Sequence, residues 1–416
     1  MKSAQTQLAA NGGPKAKTTP YGSGRRFAGN ELEYLRQALE SNTLFYGFGT
    51  WVKRACEQMR DYTGRPYAVA CTSGSAAVHL GLIAAGVGPG DEVILTPNTD
   101  SGSALGIIEE GAVPVFCDCE STFQASAATV AARLTPRTKA VVVVHLAGYP
   151  APVEEIIALC QPTGIAVIED CAQSWGTKRH GRRVGTFGIA GCFSTNDYKH
   201  ISTGDGGFVV LSDEALYRRV LNYADKCYDR QFQGELRQAY HGLNYRMSEL
   251  QGAVACAQLE KVEAITARQH ALGERLSRQL EGLRGARLMG ALPDAYSTYW
   301  WTALVVDPAA VTASRDEIVG ALQAEGLRVN SYGQYDLIQT PLFQTRVARP
   351  WLADERRFYP FVQPDGRSFT YTLAATPTHR RLLETAIQIA MNASYTDRDM
   401  DETAAGIRKV VETYSR

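Results

Sequence analysis

The chain has 416 residues, enough for two or three domains at about 100–200 residues each and for a large core without covalent staples. Its 43 Lys and Arg balance its 43 Asp and Glu, so the cation surplus that a general nucleic-acid binder needs is missing. The 45% hydrophobic and 21% charged residues exclude disordered, collagenous and low-complexity classes for most of the chain. No stretch approaches the roughly 20 apolar residues of a membrane-spanning helix. The N-terminal stretch lacks the apolar core of a secretory signal. Nine scattered cysteines without framework spacing fit reduced thiols in a cytoplasm. Cys117-x-Cys119 is their one close pair. It has no second pair and no nearby His, so no metal site is expected.

Residues 1–25 are polar and read as a flexible arm, placed to lie on a partner subunit. From Asn30 the pattern is helical, with Leu32, Leu35 and Leu39 on one face. Strands and helices then alternate. Tyr67–Cys71 is a strand, followed by a small-residue turn and a helix over Gly74–Ala85. Glu92–Thr96 is a strand, with a helix from about Ser101. VPVFC, KAVVVVH and GIAVIED are further strands. Runs such as Val141–Val144 are apolar at every position, which fits strands buried on both faces of a mostly parallel sheet. The order implies an α/β architecture. From Met247, apolar residues step by three and four, opening a long helix that runs to about Leu283. Beyond it come a strand near Thr302–Val306 and a helix opened by the capping box Ser314-x-x-Glu317. Helices near His379–Asn392 and Thr396–Thr413 close the chain. The expected division is an arm over 1–25, a large α/β domain over 26–260 and a smaller α+β domain over 261–416.

Three local features carry chemistry. Thr72-Ser73-Gly74-Ser75 lies between a strand and a helix, where free N–H groups and the helix dipole meet an anion. It is either a phosphate cradle or an ordinary capped turn. Glu169-Asp170 ends a strand, where ligands of open α/β sheets bind. It either pairs with a ring-nitrogen cation or is a cap or solvated acid. Lys199 sits in the polar loop of CFSTNDYKHISTGDGGFVV. It is either a Schiff-base lysine or a solvated one. Together they match pyridoxal phosphate, which needs a lysine for its aldehyde, an acid for its pyridine nitrogen and a helix start for its phosphate.

The blocks GVGPGDEVI, VIEDCAQSWG, CFSTNDYKHISTGDGG and GLNYRMSELQGA carry a resemblance. The chain resembles the fold-type I pyridoxal-phosphate enzymes of the DegT/DnrJ/StrS sugar aminotransferase family, from Asn11-Gly-Gly-Pro14 to the C-terminal helix. The resemblance implies a large cofactor domain with a mostly parallel seven-stranded-type sheet and a small C-terminal domain. It places Lys199 as the cofactor-bound lysine and Asp170 as the partner of the pyridine nitrogen. Gln173 matches the residue at the phenolic oxygen. Ser73, Gly74, Ser75 and Ser194 match the phosphate seat. Asn244 matches an asparagine that reaches the neighbouring subunit's phosphate, which implies a homodimer with shared sites. The family's P-x-x-T-aromatic run is Pro97-Asn98-Thr99-Asp100-Ser101 here. Asp100 and Ser101 therefore stand near the cofactor ring in place of a stacking aromatic, as in a T-D-x-G subgroup.

The implied activity is amino transfer by a ping-pong cycle from L-glutamate or L-glutamine to a keto-sugar, keto-cyclitol or similar polar ketone. Such enzymes serve antibiotic and surface-sugar biosynthesis. The alternatives are another reaction on the same cofactor (epimerisation, elimination or dehydration) and a non-catalytic cofactor-binding regulator. One relative, a sugar dehydratase, has histidine where Lys199 stands. Candidate substrate contacts are His145, His200 and Tyr198, with His145 equally a structural histidine. Trp175, Trp300 and Trp301 either line a sugar pocket or belong to core or interface.

Overall fold

The computed structural model describes residues 7–228, 240–333 and 336–416. Residues 1–6, part of the expected arm, lie outside them. Helix α1 (Glu31–Glu40) comes first. Its stripe does not turn inward as a core face would. Glu31 and Ala38 are its buried residues, while Leu32 is 81% and Leu39 61% exposed.

The central sheet has seven strands: β1 (Tyr67–Cys71), β2 (Glu92–Leu95), β3 (Val113–Phe116), β4 (Thr138–Val144), β5 (Ala166–Asp170), β6 (Ala190–Ser194) and β7 (Gly207–Leu211). Their spatial order is β1-β7-β6-β5-β4-β2-β3. The run from β6 to β3 is parallel, and β7 is antiparallel to both neighbours. Side chains alternate across a strand. Val142 and Val144 accordingly join one core, and Val141 and Val143 another. The sheet separates two cores, which is why β4 is apolar at every position from Ala140 to Val144. Helix α2 (Gly74–Ala85) follows β1 and helix α3 (Gly102–Glu109) follows β2.

The long helix expected from Met247 is two helices, α4 (Glu249–Leu259) and α5 (Val262–Gln279), with a break at Glu260–Lys261. Ser248 and Gln251 form a capping box that starts α4. A smaller antiparallel sheet follows: β8 (Ala286–Leu288), β9 (Trp301–Val306), β10 (Val329–Ser331) and β11 (Ala386–Ala390), in the order β8-β9-β11-β10. Strand β11 corrects the expected helix over His379–Asn392. That helix ends at Thr385. Ile387 and Ile389, β-branched and two apart, are buried where they pair with β9. Helix α6 (Arg315–Ala324) opens with the predicted Ser314–Glu317 box, and α7 (Asp397–Tyr414) closes the chain.

Residues 7–25 form a strap, not a free arm. The N–H groups of Ala9 and Ala16 donate to Glu325, each at 2.8 Å. Lys17 is buried between Asp399 at 2.6 Å and Glu402 at 2.9 Å. The polar composition that suggested flexibility supplies ion pairs to α7.

Candidate active site

A cleft of about 680 Å³ opens at the carboxyl ends of β1, β2, β4, β5 and β6, and residues of β9 and β11 form its opposite wall. This is the ligand position of open α/β sheets.

The turn after β1 is shaped for an anion. Ser73 caps α2, its Oγ accepting from the Ala76 N–H at 3.1 Å. Gly74 and Ser75 begin the helix, so their N–H groups have no partner in a preceding turn, and the dipole's positive end is here. A Cβ on Gly74 would lie 2.6 Å from the Ser194 Cβ, so glycine lets α2 start close against β6. The Ser194 Oγ accepts from the Asn196 N–H at 3.2 Å, leaving its own proton to donate.

Adjacent residues of β5 point to opposite faces, which separates Glu169 from Asp170. Asp170 lines the cleft. Its Oδ2 accepts from the Ser103 hydroxyl at 2.7 Å and its Oδ1 from the Ala172 N–H at 3.0 Å. Ser103 gives its one proton to Asp170, so Thr99 donates to Ser103, at 2.8 Å. Burial pushes the Asp170 carboxyl above its ordinary range, against those hydrogen bonds and the Lys199 charge.

Glu169 turns into the core. It accepts from the N–H groups of Gly185, Phe187 and Gly188 at 2.7, 2.6 and 2.7 Å. Burial acts to raise its pKa, but His145 and these backbone donors outweigh it and hold the carboxyl below the ordinary range. The His145 Nδ1 accepts from the Ala151 N–H at 3.0 Å, so Nε2 carries the proton shared with Glu169 at 3.0 Å. His145 is wholly buried with both ring nitrogens used, and it does not line the cleft. Its bonds hold β4 and β5 to the Ala151 turn, away from the cleft where a substrate contact was expected. His145, Glu169 and Cys171 also have ligand-type spacing, but these bonds already occupy the imidazole and the carboxylate.

Lys199 enters the cleft from the loop after β6, its Nζ 4.1 Å from the Trp300 ring centroid. Burial pushes its pKa below the ordinary lysine value, outweighing the Asp100 and Asp170 charges that favour the ammonium form. The Gln173 Oε1 accepts from the Ala147 N–H at 2.9 Å, which leaves its amide N–H groups for the cleft.

Ser73, Gly74, Ser75, Asp100, Asp170, Gln173, Ser194, Tyr198 and Lys199 thus meet in one cleft. Asp100 accepts from the Gly102 N–H at 2.8 Å. Ser101 is exposed and stays outside. His200 is buried and lines an adjoining chamber. Asn244 is bridged to Asp225 and is not among the cleft residues of its own chain. Trp300 and Trp301 line the cleft, whereas Trp175 is core and donates to the Ser194 carbonyl at 2.8 Å. Sequence reasoning missed Ser103, Gln388 and Met391. Ser103 had one available signal, its place one helical turn after Thr99. Gln388 was hidden by the helix assigned to β11.

Residues 26–353 match the model of the DegT/DnrJ/EryC1/StrS aminotransferase family. The chain is 34% identical over 281 residues to GDP-perosamine synthase of Escherichia coli O157:H7, covering 67% of this chain and 75% of that one. It is 32% identical over 357 residues to a putative L-glutamine:3-amino-2,3-dideoxy-scyllo-inosose aminotransferase of Streptoalloteichus tenebrarius, covering 83% and 85%. The crystal structure of an aminotransferase from Psychrobacter cryohalolentis superposes with a TM-score of 0.80 at 26% identity, over 96% of this chain and 100% of that one. The seven-stranded sheet, the small sheet and these matches agree: the chain belongs to the DegT/DnrJ/EryC1/StrS aminotransferase family of pyridoxal-phosphate enzymes.

Proposed function

We propose that this chain is a pyridoxal 5'-phosphate-dependent aminotransferase that moves an amino group from L-glutamate or L-glutamine to a keto-sugar, keto-cyclitol or similar polar ketone. One observation carries the reading: an amine of lowered pKa and a buried carboxylate face one cleft beside the free N–H groups of a helix start. That donor set fits the cofactor. The N–H groups of Gly74 and Ser75 and the hydroxyls of Ser73 and Ser194 would hold its phosphate. Asp170 would hold its ring nitrogen, Gln173 its phenolic oxygen and Lys199 its aldehyde carbon. When bound, the cofactor supplies an electron sink for the carbon losing a proton. Lys199 Nζ would be the base that moves this proton. Asp170 would keep a proton on the ring nitrogen, and Ser103 and Thr99 hold Asp170 in place for it.

The chain works as a homodimer with shared sites. Leu32 and Leu39 lie seven residues apart on one face of α1, exposed in a single chain, and such an apolar face suits a partner. Asn244, absent from its own cleft, serves the partner's. A second reading, chemistry on the same cofactor without net amino transfer, is favoured by the loss of the family's aromatic ring from the Pro97–Ser101 run, where Asp100 lines the cleft instead.

The test follows the visible absorption of the cofactor-loaded protein on adding L-glutamate or L-glutamine. The band is expected to be lost as keto acid appears. A loaded protein that ignores both donors overturns the donor assignment. With nitrogen-15 donor and candidate ketones, a product without label favours the second reading.

A further inference from the structure

A second chamber, of about 530 Å³, adjoins the cleft. The two share Tyr198, Lys199, Trp300 and Met391. Their charges are opposite. Among the described residues, the cleft is lined by Asp100, Asp170 and Asp205, with Lys199 as its cation. The second chamber is lined by Arg25, Arg26, Lys261 and Arg328 as well as Lys199, and by no carboxylate.

The nearest acids stand behind these walls. Glu31 pairs with Lys261, and Asp197 lies 3.5 Å from the Arg26 guanidinium. Arg25 and Arg328 have no carboxylate partner among the described residues. Arg328 donates to the Tyr395 hydroxyl at 3.1 Å and lies 4.8 Å from the Tyr21 ring centroid, which aims the guanidinium without neutralising it. His200, over nine-tenths buried, lines the same chamber. Its Nε2 lies 3.4 Å from the Thr298 carbonyl, and its Nδ1 has no partner. Burial lowers its pKa to about 4, so the ring is neutral and Nδ1 is left to accept a hydrogen bond. Uncompensated cations around one volume repel each other, and an anion entering it relieves that repulsion. Guanidinium forks match carboxylate and phosphate oxygens.

We propose that this chamber is a substrate-anion subsite, which takes the carboxylate or phosphate end of a molecule whose reacting group lies at Lys199. The proposal rests on the reading of Lys199 as the reacting centre. The acidic cleft repels the anionic end and the basic chamber attracts it, so the pair orients the substrate. The anion is either the donor's distal carboxylate or a phosphate carried by the ketone acceptor.

Calorimetric titration of the cofactor-loaded protein with glutarate and with pyrophosphate separates these sources. Loading fills the phosphate seat on α2, and the visible band verifies it. At least one probe is expected to bind. Arg25→Ala with Arg328→Met should weaken that binding at least about tenfold. Lys139→Ala, which removes an exposed charge elsewhere, should leave it unchanged. Glutarate binding assigns the subsite to the donor, and pyrophosphate binding assigns it to a phosphate-bearing acceptor. Loaded protein that binds neither, or equal loss in Lys139→Ala, overturns the subsite and leaves the proposed function standing. Protein that never acquires the band yet still binds glutarate through Arg25 and Arg328 contradicts the function and not the subsite.

Discussion

Lys199 is placed where burial opposes charge. A lysine attacks an aldehyde only as the neutral amine. A lowered pKa therefore moves the rise of reactivity to lower pH. The rate of cofactor uptake should climb with pH and reach half its plateau below 10.5, the ordinary lysine value. Asp100 is one of the charges that favours the ammonium form, so Asp100→Asn should move the midpoint further down. A midpoint at or above 10.5, or an upward move in the variant, would refute this placement. Lys199→Ala should lose the visible band and sustained turnover together. Asp170→Asn removes the charge proposed to keep the ring nitrogen protonated, and turnover should fall on the order of a hundredfold. Near-normal steady-state rates would dismiss that role.

At the scale of elements, the site depends on how α2 meets β6. The Gly74 Cα faces the Ser194 side chain so closely that an added Cβ must displace one of them. Gly74→Ala should destabilise the fold by about 1–3 kcal/mol through overpacking and weaken cofactor binding more than any change elsewhere on α2. Parallel thermal melts and cofactor titrations measure both, and a variant that binds normally shows the approach is not required. Strand β5 gives a second lesson. One strand delivers two adjacent carboxylates to opposite faces, so Glu169 organises the Gly185–Gly188 turn and His145 while Asp170 serves the cleft. The alternation is a property of strands and was available from the sequence. Which of the two faces held the cleft was not.

Over the whole molecule, the N-terminal strap ties residues 7–25 to the end of the chain. Lys17→Met would leave Asp399 and Glu402 facing each other with no cation between them. Removing one partner of a buried ion pair costs about 3–5 kcal/mol, so the unfolding midpoint should drop sharply; a change under about 1 kcal/mol would show the pair is dispensable. Asp399 is held below the ordinary carboxylate range by Lys17 and nearby N–H groups, against the burial that opposes it. Its contribution is therefore complete at neutral pH and is lost in acid, as pH falls through the lowered value. The exposed face of α1 gives the assembly test. Leu32→Asp with Leu39→Asp should yield a folded monomer by light scattering, and activity should be lost with it if the proposed reach of Asn244 into the partner's site holds. A dimer of unchanged mass would move the interface elsewhere.

The sequence by itself determined the alternation of strands and helices in the large sheet and its buried parallel strands, while its resemblance to the family singled out Lys199, Asp170, Gln173 and Ser73–Ser75. The elements rest on local patterns, apolar runs and capping residues, and the motif residues on matching blocks of sequence. Only the tertiary structure decided the rest. It broke the helix after Met247 in two, turned Ala386–Ala390 into a strand beside β9, and brought Ser103 to Asp170. It gave His145 to Glu169 and left Leu32 and Leu39 outside the core. Each of these depends on a partner far away in the chain, and a side chain's burial or hydrogen bond is set by what packs against it.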